Sequence, residues 1–84
     1  MRETIYQNIE AELDYAHKKW GTEFDSKNTL NDWAVYTNIY LGRATEMAAN
    51  KETKRKNLIK AAGLLISAIE WLDSGQMPPR HYDK

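Results

Sequence analysis

Cysteine is absent from this 84-residue chain, which excludes disulfides and thiolate metal sites as sources of stability. Histidine occurs only as His17 and His81, too few for a histidine-rich zinc cage. No stretch approaches the roughly 18 to 20 uninterrupted apolar residues of a membrane span. Arg2 and Glu3 stand near the start with no apolar run behind them, so no secretory leader is read and the expected compartment is the cytoplasm. Net charge is missing as well: 12 basic and 12 acidic side chains cancel, and a neutral domain has no global attraction to nucleic acid, so nucleic-acid binding is not expected. Glycine-rich phosphate loops, nucleophile elbows, His-Glu-x-x-His pairs and calcium loops are all lacking.

What remains describes one small soluble domain, 42% hydrophobic and 29% charged. A chain of this length buries only about 60% of the surface its unfolded form exposes, so its core is marginal without help. With disulfides and zinc excluded, oligomerisation is the common remaining solution. The charge is also unevenly placed: residues 1–50 carry 5 basic and 8 acidic groups, and residues 51–84 carry 7 and 4. Lys51, Lys54, Arg55, Lys56 and Lys60 fall within ten residues against Glu52 alone.

Hydrophobic periodicity divides the chain into three helices. Ile5, Ile9, Leu13, Ala16 and Trp20 are spaced by four, four, three and four, a single stripe at the helical period, and Gly21 stands where a residue tolerant of positive φ ends a helix. Residues 21–29 read as a loop from which Phe24 folds back onto the core. Asn28 or Thr29 then caps a second helix, with Asp32 completing an approximate capping box, and Leu30, Trp33, Thr37, Tyr40, Leu41, Ala44 and Ala48 carry its stripe to about Ala49. Gly42 interrupts that stripe, which suggests a close helix contact or an approaching ligand. The third helix is predicted over 53–74 with Gly75 as its stop.

This third segment is the most informative. From Leu58 to Leu72, eleven of fifteen residues are apolar. A helix apolar on nearly every side must be covered on nearly every side, which two short neighbours cannot do. The expected fold is therefore all-α: a three-helix unit over residues 1–75, completed into a larger helical bundle by homo-oligomerisation through the third helix. Residues 76–84, with Pro78 and Pro79, read as an extended tail.

Read together, Glu12, Lys19-Trp20-Gly21, a polar loop with Asp25, Asp32-Trp33, Leu41-Gly42, Leu58 to Ala62 and Ala68-Ile69-Glu70 resemble the all-α NTP pyrophosphohydrolases. The similarity is greatest to the short MazG-like proteins of phage and bacterial genomes. The resemblance implies a nucleotide site built from two acidic helix motifs that bind Mg²⁺, a hard cation suited to carboxylates and phosphate. In this chain the positions of the family's paired glutamates are Ile39 and Tyr40, and the glutamate after the glycine is Arg43. On the following helix the acidic positions are Asn57 and Lys60. Cations in place of carboxylates repel a metal and attract phosphate directly.

The function expected on this basis is a catalytically inactive relative that holds a nucleotide or nucleotide-derived signal without metal or other cofactor. Arg43, Lys60, Lys54 and Lys56 would meet phosphate, and Tyr36, Tyr40 or Trp33 would stack on a base. The segment Arg80, His81 and Tyr82 would fold over the ligand. In a virus, such a protein would serve to sequester a host nucleotide messenger. Two alternatives stand beside this one. The first is a protein-interaction module that blocks or bridges a partner, with Arg43, Lys60 and the Lys51 to Lys60 cluster as ordinary solvated charges. The second is a residual Mg²⁺-dependent pyrophosphohydrolase that uses Glu46, Glu70 and Asp73.

Overall fold

The structure is a computed structural model that describes residues 1–79. It contains three helices in the order α1 (Arg2–Ser26), α2 (Leu30–Ala44) and α3 (Lys51–Asp73), and no strand among the described residues. The all-α reading therefore holds. Residues 76–79 follow Gly75 without regular structure, and the expected Arg80, His81 and Tyr82 cover lies outside the described residues.

Local chemistry explains each boundary. Gly21 adopts φ 76° and ψ 169°, a conformation nearly confined to glycine, so the first helical run does end there as its position suggests. The chain then resumes helical structure through Ser26, where a loop was expected, and the result is one long element with a kink. Thr29 caps α2 as expected: its N–H donates to Asp32 Oδ2 at 2.9 Å, and the Asp32 N–H donates to Thr29 Oγ1 at 3.3 Å. α2 stops at Ala44, five residues before the expected Ala49, with Thr45 as its C-cap: both its N–H and its hydroxyl donate to the Leu41 and Gly42 carbonyls. Asn50 caps α3 through Oδ1, which accepts from the Thr53 N–H at 2.8 Å, and Gly75 at φ 73° follows its end.

Helix α3 is central, since α1 and α2 each pack along it and not on each other. Asn8 accepts from Arg55, Glu12 pairs with Lys60, and Leu13 lies against Gly63, so position along α1 rises with position along α3 and the two run parallel. Only 45–50 separate α2 from α3, which folds that pair as an antiparallel hairpin. Small residues on α3 allow the approach. Ala61, Gly63 and Ala68 are buried, and a Cβ at Gly63 would stand 3.5 Å from the Glu12 side chain.

The core is thin. Its buried apolar residues are Trp33, Ala44, Ala61 and Ala68, and α1 contributes none. The expected α1 stripe is thus only half covered, with Ile5 and Trp20 exposed. Phe24 does not fold onto the core as expected. It is exposed and packs against the Trp20 ring, centroids 5.2 Å apart. The expected close contact at Gly42 is also absent, since a Cβ there would meet nothing within 4 Å.

These two glycines predict opposite outcomes. Gly21→Ala forces an alanine into a glycine-only conformation and should cost about 1–3 kcal/mol. Gly42→Ala fills open space on a helix and should stabilise by about 0.5–1 kcal/mol. Urea unfolding followed by circular dichroism checks both.

Candidate functional site

Because α1 and α2 rest on α3 without meeting, a groove of about 340 Å³ runs between them with α3 as its floor. Helical spacing selects its walls. Trp33, Tyr36, Tyr40 and Arg43 recur at three- and four-residue intervals on one face of α2, Glu12, Tyr15 and Lys19 do the same on α1, and Lys60, Gly63 and Ser67 form the floor.

The structure brings Arg43, Lys60, Tyr36, Tyr40 and Trp33 together in this groove. Tyr40 sits between two cations, with the Arg43 guanidinium 5.2 Å and the Lys60 ammonium 5.8 Å from its ring centroid. Lys60 also stands 5.6 Å from the Tyr15 ring. Trp33 lines the groove but is only 3% exposed, so it is chiefly a core residue, and Tyr36 and Tyr40 are the half-buried rings with a face to offer. Lys54 and Lys56 are not among the lining residues: they lie in the early turns of α3, beyond the groove.

Sequence reasoning missed the partner of Lys60. Its Nζ donates to Glu12 Oε1 at 3.0 Å, with both side chains about a quarter exposed or less. The 4-3 spacing of Glu12, Ala16 and Lys19 beside the α1 stripe was the available signal, but no local pattern matches residue 12 with residue 60. The pair reduces the cationic character of the groove. Glu12 and Asp25 stand against Lys19, Arg43 and Lys60, an excess of one positive charge. Two donors in lining residues have no hydrogen-bond partner although they are buried, Trp33 Nε1 and Asn28 Nδ2. Each such unmet group costs about 1–3 kcal/mol.

A second cavity, about 480 Å³, lies between α1 and the C-terminal half of α3 and is acidic, with Glu10, Asp14, Asp25 and Glu70 beside His17. Among the described residues no group of three His, Asp or Glu side chains is placed to hold a metal ion. The acids of the residual-enzyme alternative are not brought together. Glu46 precedes the start of α3, whereas Glu70 and Asp73 lie near its other end, about 28 Å away along the helix axis.

Burial raises the Asp25 carboxyl above its ordinary value of 3.8, with the His17 ring opposing the rise. The folded state therefore holds this proton more tightly than the unfolded state, and stability is lost as pH climbs through the raised value. Asp25→Asn removes that loss. Its thermal midpoint should exceed that of the unchanged protein at neutral pH, and the two should converge in acid, as read by thermal unfolding across pH.

No known protein family, curated protein or solved structure matches this chain. Within the described residues, no helix is long and apolar enough to cross a membrane.

Proposed function

We propose that the chain binds a small nucleotide-type ligand in the groove between α1 and α2, without hydrolysing it, and does so as a homo-oligomer built through α3. The observation that carries this reading is the convergence of Arg43, Lys60, Tyr36 and Tyr40, chosen from sequence on different helices, on one cavity. Aromatic faces beside cations suit a ring that carries phosphate. The volume of about 340 Å³ is of the size used for small ligands.

Charge narrows the ligand class. A net excess of one positive charge, with Lys60 already held by Glu12, favours a monophosphate or a cyclic phosphodiester over a triphosphate. The missing acidic motifs of the resembling pyrophosphohydrolases, with Arg43 and Lys60 in two of their positions, support binding without metal-assisted hydrolysis. The protein-interaction reading draws support from a separate feature, the apolar residues left exposed on α3.

Titration calorimetry against nucleoside mono-, di- and triphosphates and cyclic nucleotides tests the proposal. Binding is expected for a singly or doubly charged member, and no heat with any of them at high micromolar concentration overturns the reading. Arg43→Ala should weaken binding by about 1.5–3 kcal/mol, about 10- to 100-fold in Kd, through loss of a charge-assisted hydrogen bond.

A further inference from the structure

Leu58, Ala62, Leu65, Ile69 and Leu72 recur at alternating four- and three-residue intervals on the face of α3 turned away from α1 and α2. The four large members are 51–56% exposed, although each belongs to the most apolar stretch of the chain. Total exposed surface is 6571 Å², against about 5200 Å² for a compact monomer of this mass, so the chain leaves uncovered about 1400 Å² beyond expectation. Part of that area belongs to the non-helical segment after Gly75. A standard protein interface takes roughly 800 Å² per partner.

The charges on α3 say which way a partner lies. Lys51, Lys54, Arg55 and Lys56 crowd its N-terminal turns, the positive end of the helix dipole, against Glu52 alone, while Glu70 and Asp73 occupy the negative C-terminal end. This is the reverse of the placement that stabilises a lone helix. Lys51, Lys56, Glu70 and Asp73 are exposed, and the ion pair found among the described residues, Lys60 with Glu12, involves none of them. A second α3 laid antiparallel sets the basic end of each helix beside the acidic, negative-dipole end of the other. A parallel copy sets like against like.

From this we infer that the chain forms an isologous dimer in which the exposed row of α3 packs antiparallel against the same row of a second copy, about a two-fold axis near Leu65. This rests on the homo-oligomer reading above and specifies its geometry. Both grooves then face away from the dimer axis and stay open to ligand.

The absence of cysteine makes the arrangement directly testable with single-cysteine variants at exposed positions, linked by a short bis-maleimide. Leu65→Cys should cross-link efficiently to itself. Leu58→Cys and Leu72→Cys should each fail alone, because the two copies of either residue are offset by fourteen residues, about 21 Å along the helix, but a mixture of the two should give a cross-linked heterodimer. Self-linking of Leu58→Cys as readily as Leu65→Cys overturns the antiparallel geometry and leaves oligomerisation standing. A dimer in sedimentation equilibrium with no cross-link at any of the three positions overturns the use of this face. A monomer at all concentrations overturns both the dimer and the homo-oligomer reading, with ligand titration unaffected. Leu65→Glu, with helix content retained by circular dichroism, should convert the dimer to monomer, and a dimer that persists in this variant overturns the proposal.

Discussion

Two helices must share one partner: α1 and α2 each pack along α3, and their backbones do not approach each other. The thin core, the groove and the exposed face of α3 follow from this constraint. The contact surface of α3 has to be narrow enough for two neighbours, and small residues at Ala61, Gly63 and Ala68 meet that need by letting backbones approach closely. The cost is a core with little apolar volume, in which Trp33 is the one large apolar side chain buried among the described residues. The separation of α1 from α2 leaves the groove, and the face of α3 that neither helix reaches leaves the exposed leucine and isoleucine row. The groove and the exposed row are two outcomes of the same packing arrangement.

Electrostatics within the groove shows how a sequence landmark can change meaning in three dimensions. Lys60 reads from sequence as a free cation near a basic cluster. In the fold it lies beneath two tyrosine rings and is held by Glu12, 48 residues earlier. An ammonium placed this way orders α1 against α3 and still presents charge to the cavity. The cations that sequence grouped with it diverge from it. Lys54 and Lys56 remain in the early turns of α3, outside the groove.

The chain's segmentation was legible because its signals are local. Thr29 with Asp32 and the positive-φ glycines at 21 and 75 act within a few residues, so these helix ends could be read from composition and spacing, whereas the Asn50 cap that starts α3 at Lys51 was not. The reading failed where the helix ended at Thr45 rather than near Ala49, and where Phe24 packed on Trp20 rather than on the core.

The central place of α3 was determined by sequence alone, because eleven apolar residues in fifteen require cover on several sides wherever that helix lies. The face carrying Trp33, Tyr36, Tyr40 and Arg43 was likewise determined by helical period. Only the tertiary structure decided that this face borders a groove, that Glu12 partners Lys60, that Trp33 is spent on the core, and that α3 keeps one apolar row exposed. Those outcomes depend on which helix faces which, a relation between residues tens of positions apart for which the spacing along the chain carries no signal.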